Sequence, residues 1–169
     1  LDLDHLTDEL ITMREAQIDG FGLNSKSSLD RYRRTFGPGL RACFAVSVPN
    51  PDDITIDDRG AADLVDCTVT RLVIGRKGVG DAIPALLFTP KIEPKADPVL
   101  VVHPSGKSAL LKNAAPGELI STLLKRGSAV LAIDTFLTGE TDKTDERLKD
   151  KFFTTFYRTD TAERVQDIV

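Results

Sequence analysis

Two short apolar runs separated by a helix-length segment constrain the fold of this chain more than any other feature. The first run is PVLVVH at residues 98–103, and the second is SAVLAID at residues 128–134. Continuous apolar runs of this length predict strands buried on both faces of a sheet. Between them, ELISTLLK at 118–125 places its apolar residues on one helical face, and Gly127 follows as a helix end. Strand, helix and strand at these lengths predict a βαβ unit with a parallel strand pair.

Upstream of this unit, the sequence predicts an antiparallel hairpin. CTVTRLVIG at 67–75 alternates and is rich in β-branched residues, and AIPALLF at 82–88 returns after a glycine-rich turn. Because proline cannot donate to a sheet ladder, Pro84 predicts that the second strand lies at an edge.

The first 52 residues predict a helical extension, since apolar residues recur there at helical spacing. The candidate caps are Asp4 or Thr7 for a first helix and Ser27 or Ser28 for a second one, which Gly37-Pro38-Gly39 would interrupt. We therefore expect a helical extension over 1–52 and an α/β domain over 53–169.

The composition excludes some functions. A net charge of −4, from 26 acidic and 22 basic residues, gives no electrostatic reason to expect nucleic acid or an anionic membrane as partner. No apolar run approaches the roughly 20 residues that span a bilayer. No signal peptide pattern opens the chain, and a secreted or periplasmic location stays open. Cys43 and Cys67 predict buried thiols, with a disulfide as the alternative. No CxxC pair or His-rich cluster occurs, so a zinc site is not expected from this chain alone.

The chemistry is expected in the loops after the two parallel strands, because open α/β sheets bind ligands at the carboxyl ends of their strands. In the first loop, HPSGKS, the backbone N–H groups of Ser105, Gly106 and Lys107 are candidates for an oxyanion hole, which stabilises the charge that develops in acyl transfer. His103 and Asp134, which directly end the two strands, are candidates for substrate binding. No metal site is predicted.

Two other interpretations of this loop are weaker. The letters GKS suggest a phosphate-binding loop, but Val101 stands where that motif has its first glycine, and Pro104 removes an N–H donor. No Gly-x-Ser-x-Gly nucleophile elbow occurs. Ser105 and His103 are too close along one loop to form an oriented catalytic pair.

The last segments predict a charged, solvated stretch at 135–151 and then a helix. Asp160 and Glu163 suggest a capping box, and Ala162, Val165, Ile168 and Val169 share one face. The helix has no stop signal, which predicts continuation into another strand; a helix fraying at a natural end is the alternative.

In this order, the hairpin, the strand ending in HPSGK, the helix, the strand ending in IDTFLTGE and the segment FFTTFYRTDTAERVQDIV resemble the α/β-hydrolase fold over residues 66–169. The closest likeness is to the acetyl xylan esterase and dienelactone-hydrolase-like branch. The helical lead-in is similar to that of some bacterial esterases.

The resemblance implies the N-terminal half of a serine-dependent carboxylic ester hydrolase. HPSGK would supply the oxyanion hole, while the nucleophile, acid and histidine would follow Val169, so that this chain alone would be inactive. The implied partners are an ester substrate, small or carbohydrate, and the remainder of the domain or a second chain that completes the sheet beside SAVLAID. No cofactor is expected, because an activated serine needs none. The alternatives are a non-catalytic module that docks through its open sheet edge and, more weakly, a nucleotide-binding domain.

Overall fold

A computed structural model describes residues 2–141 and 158–169 and divides the chain into two compact units, Leu1–Ala45 and Val46–Val169. The predicted division, after residue 52, lies a little further along the chain. The first unit holds helices α1 (Leu3–Asp19) and α2 (Lys26–Phe44). The second holds strands β1 (Ile54–Asp63), β2 (Cys67–Arg76), β3 (Ile83–Pro90), β4 (Val99–Val102), β5 (Leu111–Lys112), β6 (Ala115–Pro116) and β7 (Val130–Ile133), with helices α3 (Glu118–Lys125) and α4 (Asp160–Ile168).

The helical unit differs from the prediction at its boundaries. Asp2, rather than Asp4 or Thr7, caps α1 by accepting a hydrogen bond from the Asp4 amide. Ser25 caps α2 in a reciprocal arrangement with Ser28. The predicted interruption at 37–39 is wrong, since α2 continues through Pro38. No helix within the described residues is both long and apolar enough to cross a bilayer.

The second unit is a mixed α/β fold built on a five-stranded sheet of order β1-β2-β3-β7-β4. The predicted hairpin is confirmed, because β2 and β3 pair antiparallel with Cys67 opposite Pro90. The predicted parallel pair is also confirmed, with Val99 opposite Val130 in β4 and β7. β1 was not expected: its sequence carries three acidic residues and no clean alternation, and every residue of it is exposed.

The position of β7 corrects three expectations. β7 inserts between β3 and β4, pairing antiparallel with the first and parallel with the second. The strand SAVLAID is therefore interior and not the open edge, and β3 is interior despite Pro84. In the described part of the sheet, β4 is the edge strand beside β7, and its residues alternate between half-buried and exposed instead of being buried on both faces.

The core lies where α3 packs on the sheet. Ile120 and Leu124 of α3 are buried against side chains of β2, β3 and β7. These side chains are Cys67, Phe88, Val130 and Ala132. Gly127 follows α3 with a positive φ of 85°, as a helix-terminating glycine does. The prediction of α3 from its apolar face is thus confirmed.

Helix α4 begins one residue earlier than predicted, at the cap Thr159, whose hydroxyl accepts from the Ala162 amide. Its buried positions are Ala162 and Gln166, whereas Ile168 is 42% exposed. The Gln166 amide group pairs with both backbone groups of Ser47, at 2.8 and 3.0 Å. A polar side chain therefore holds α4 where the sequence predicted an apolar face.

Cys67 is buried and Cys43 exposed, and both are free thiols. Burial and the neighbouring Asp66 raise the pKa of the Cys67 thiol. The prediction of a buried thiol is confirmed for Cys67, but it is wrong for Cys43, which is exposed. The predicted solvated stretch at 135–151 begins with the buried side chains of Thr135 and Thr138, and the remainder, 142–151, lies outside the described residues.

Candidate functional site

The carboxyl ends of the parallel strands bring two loops together. Val102 and Ile133 are paired as the last residues of β4 and β7, so that His103 and Asp134 follow at adjacent positions of the sheet. The loops at 103–108 and 134–140 contact each other at this end of the sheet.

Lys107 and Asp134 form the contact that joins the loops. The Lys107 amide donates to Asp134 Oδ1 and the Lys107 ammonium donates to Asp134 Oδ2, both at 2.5 Å. Asp134 is 1% exposed and Lys107 is 6% exposed. A buried ion pair with complementary hydrogen bonds holds both groups firmly, because removing either leaves a charge without compensation.

Glu140 closes the arrangement from the outer side. Its amide donates to Asp134 Oδ2 at 2.9 Å, and its carboxylate accepts from the Lys107 ammonium at 2.5 Å. The Glu140 side chain is 70% exposed, so its share of the pairing is screened by solvent. The Lys107 ammonium is thus shared between one buried and one exposed carboxylate.

The Asp134 carboxylate is held in its ionised form. Burial alone raises its pKa, but the hydrogen bonds from the Glu140 amide and from Lys107, with the charge of Lys107, outweigh burial and bring the pKa below its ordinary value. The carboxylate is therefore fully charged at neutral pH, and it acts as an acceptor and not as a proton donor.

The close approach of the loops requires glycine at two positions. A Cβ atom on Gly106 would come within 2.6 Å of the Gly139 nitrogen and 2.7 Å of Asp134 Oδ1. A Cβ atom on Gly139 would overlap the Asp134 carboxylate. Both glycines also have positive φ, 81° and 55°. Side chains are thus excluded on steric and on conformational grounds.

The three candidate oxyanion donors are placed differently from one another. The Lys107 amide is directed at the buried Asp134 carboxylate, and the Gly106 amide closes a turn on the His103 carbonyl at 2.9 Å. The Ser105 amide donates to His103 Nδ1 at 3.1 Å, on an exposed part of the loop. Each N–H therefore has an internal acceptor, and Ser105 alone has an acceptor that is a side chain at the surface.

A cleft of about 610 Å³ opens beside these loops. Its wall includes hydroxyl, carboxylate and apolar side chains: Pro104, Ser105, Ser108, Leu111, Leu137 and Glu140. Pockets of several hundred cubic ångströms with few polar groups are typical of small-molecule sites. Lys107 and Asp134 also border the cleft.

Helix α4 supports the loop after Asp134. The Phe136 amide donates to Asp167 Oδ2 at 2.7 Å, and the Arg164 guanidinium donates to the Phe136 carbonyl at 2.9 Å. Arg164 also reaches the carbonyl of Leu137, which has a positive φ of 54°. Burial is the main cause that raises the pKa of Asp167. The wall of the cleft is thereby tied to the last helix.

Sequence reasoning missed Glu140, Gly139, Arg164 and Asp167. Glu140 and Gly139 stood in a segment whose charges suggested a solvated loop, and nothing in that pattern showed that the chain folds back onto Asp134. Of the predicted residues, the structure brings Gly106, Lys107 and Asp134 into contact. His103 accepts hydrogen bonds from the Ser105 and Gly106 amides of its own loop. No group of three or more potential metal ligands occurs within the described residues.

No family model matches the chain, and no curated protein matches it in sequence.

Proposed function

We propose that the chain is the N-terminal portion of a serine-dependent carboxylic ester hydrolase of the α/β-hydrolase type, acetyl-esterase-like in its substrate. The order of elements supports the proposal: an antiparallel hairpin leads into a parallel strand pair joined by a helix. In this proposal the nucleophile, the acid and the histidine follow Val169, and the described residues supply one wall of the substrate cleft.

The observation that carries the proposal is the joined pair of loops at the strand ends. The Lys107–Asp134 ion pair fixes the turn 103–106 in place beside a cleft of about 610 Å³. Enzymes of this class need preorganised N–H donors at such a position, because a donor that is already oriented needs no reorganisation during the reaction. A buried ion pair behind the turn would provide that rigidity.

Within the turn, we assign the oxyanion donor to Ser105. The Lys107 amide would have to leave a buried carboxylate and the Gly106 amide would have to open the turn, whereas the Ser105 amide has only to exchange the partly exposed imidazole of His103 for the oxyanion. An amide hydrogen bond to a charged acceptor is about twice as strong as one to a neutral acceptor. The exchange would therefore favour the transition state.

The cleft wall is consistent with a small acyl group on a polar alcohol. Leu111 and Leu137 offer apolar surface, while Ser108 and Glu140 offer hydrogen-bonding groups that suit the hydroxyls of a carbohydrate. A buried lysine already paired with two carboxylates is a poor phosphate ligand, which disfavours the nucleotide-binding alternative.

The second candidate is a non-catalytic module that docks through its sheet edge. The exposure of Leu100 and Val102, 41% and 38%, on the edge strand β4 favours it. An exposed apolar edge is a site of strand addition or association.

Hydrolysis of p-nitrophenyl acetate by the full-length polypeptide that contains this chain distinguishes the two candidates. The hydrolase proposal expects turnover that a serine-directed fluorophosphonate abolishes, with one mole of phosphonate bound per mole of protein. A full-length protein that is folded, yet neither hydrolyses the ester nor binds the phosphonate, would contradict the hydrolase proposal and leave the docking module.

A further inference from the structure

The helical unit carries opposite charges on two helices of similar length. α1 has five acidic residues and one arginine among 17 residues, and α2 has five basic residues and one aspartate among 19 residues. With histidine neutral, the net charges are −4 and +4. At a rise of about 1.5 Å per residue, both helices extend for between about 25 and 29 Å. The two helices therefore match in length and complement each other in charge.

Each helix also has exposed apolar side chains. They are spaced three and four residues apart on α1, and on α2 the half-buried rings of Tyr32 and Phe36 complete that spacing between two exposed leucines. On α1 these are Leu3, Leu6, Leu10 and Met13, which are between 38% and 76% exposed. On α2, Leu29 is 36% exposed and Leu40 is 51% exposed. This spacing is that of a helix-pairing seam. Within the described residues the two helices share few contacts, so that neither seam is covered by the other helix of the same chain.

An aromatic corner fixes the connection between the helices. The Phe21 ring packs edge-on against Tyr32 and Phe36, with centroids 5.7 and 5.3 Å away. The Arg31 guanidinium lies 4.8 Å from the centre of the Phe21 ring. These contacts cover the middle of the α2 seam, while Leu29 and Leu40 on either side stay exposed. Leu29 and Leu40 therefore remain as the exposed apolar side chains of α2 that a second helix could contact.

We propose that the helical unit is a self-association surface, on which α1 of one copy packs against α2 of a second copy and the reverse. This inference goes beyond the proposed hydrolase function and does not depend on it. Charge selects the partner: an anionic lipid or nucleic acid would attract α2 but repel α1. A second copy offers an oppositely charged helix to each of them, in the reciprocal geometry of a twofold dimer.

Charged residues flank the seams where helix pairs select their partners. Glu9 lies beside the apolar stripe of α1 and Arg33 beside that of α2, whereas Glu15 and Arg41 lie on the far faces and add to the charges of their helices. Charges beside a helical seam set the partner and the orientation of the pair. Reversing them on one helix should therefore disrupt the pairing, and reversing them on the other helix of a second copy should restore it.

The test uses the full chain in two variants, and the association is measured by sedimentation velocity over a wide range of concentrations. The acidic-side variant carries Glu9→Lys and Glu15→Lys, and the basic-side variant carries Arg33→Glu and Arg41→Glu. We expect the unaltered chain to dimerise more weakly as salt rises, since salt screens the flanking charges. Each variant alone should dimerise at least about tenfold more weakly, and an equimolar mixture should form a heterodimer.

The control variant, Asp66→Lys with Asp97→Lys, makes the same change of net charge as the acidic-side variant, but at exposed positions of the sheet unit, and should dimerise as the unaltered chain does. Far-ultraviolet circular dichroism checks that each variant keeps its helices. An unaltered chain that stays monomeric at every concentration would overturn the proposal. A mixture of the two variants that forms no heterodimer would do the same, because pairing of α1 with α2 inside one chain, or docking of the helices elsewhere, predicts that result.

Discussion

Lys107 binds Asp134 through both its backbone and its side chain: its amide donates to Oδ1 and its ammonium donates to Oδ2, each at 2.5 Å. One residue of the first loop thus occupies both oxygens of a buried carboxylate in the second loop. The relative position of the two loops depends on this pair.

Lys107→Met should strongly destabilise the sheet unit. The substitution keeps much of the side-chain volume but leaves the Asp134 carboxylate buried without its counter-charge, which costs about 3–5 kcal/mol of unfolding free energy. Glu140→Gln is the matched control, since it removes the exposed partner of the same ammonium and should cost less than about 1 kcal/mol. Urea unfolding followed by circular dichroism measures both. Equal losses of unfolding free energy for the two variants would contradict the conclusion that the buried Lys107–Asp134 pair contributes more to stability than the exposed Lys107–Glu140 pair.

Gly106→Ala should destabilise the protein more than Gly78→Ala does. Both glycines have positive φ, 81° and 74°, so both substitutions cause similar backbone strain of about 1–2 kcal/mol. A Cβ on Gly78 meets no atom within 4 Å, whereas a Cβ on Gly106 overlaps Gly139. Overpacking adds about 1–3 kcal/mol at Gly106 alone. Thermal unfolding of the two variants gives the comparison, and a loss at Gly78 as large as that at Gly106 would contradict the close approach of the loops.

Acid should destabilise the sheet unit, in part through Asp134. Because its pKa is lower in the folded protein than the unfolded value of about 3.9, its contribution is present above that value and is lost as pH falls through the folded pKa. The free energy of unfolding should therefore fall as pH drops below about 5. Asp81 adds to this trend, because its bonds with Arg76 outweigh burial and lower its pKa. Asp134→Asn should be less stable at neutral pH and should show a shallower acid dependence, as measured by urea unfolding across pH.

Asp167 should behave in the opposite way. Burial raises its pKa in the folded state, so that the folded state binds a proton more tightly and the free energy of unfolding falls as pH rises from about 3.9 to the folded pKa. Asp167→Asn keeps an oxygen that can accept from the Phe136 amide and removes this penalty. We expect a gain at neutral pH of at most about 1 kcal/mol and none in acid. The same unfolding series measures it, and a loss at neutral pH would show that the charge itself is needed.

The parts of the fold that the sequence predicts are those with local, periodic patterns. α3 has a regular apolar face and a glycine after it, and the strands at 67–76, 83–90 and 130–133 are rich in apolar and β-branched residues. β1 lacks such a pattern, because it is exposed throughout and carries three acidic residues, and its pairing with β2 determines its structure. Local preference was too weak there to reveal a strand.

Strand order and loop contacts depend on long-range packing, which local patterns do not encode. Nothing in SAVLAID shows that β7 inserts beside β3, and for that reason the open edge was assigned to the wrong strand. Gly106, Lys107 and Asp134, which the sequence places at the strand ends, do meet in the structure. The contribution of Glu140 and Gly139 depends on the chain folding back after Asp134, and only the structure reveals that path.

The most direct test of the proposed function replaces the Ser105 amide by an ester, through incorporation of the corresponding α-hydroxy acid in the full-length polypeptide. The change removes one N–H and leaves the side chain in place. The account predicts that kcat for p-nitrophenyl acetate falls by about 10²–10³ with little change in KM. The same replacement at Ala109, whose amide bonds to the Gly106 carbonyl, should leave kcat nearly unaltered. Equal kcat values for the two esters would contradict the assignment of the oxyanion hole to this turn.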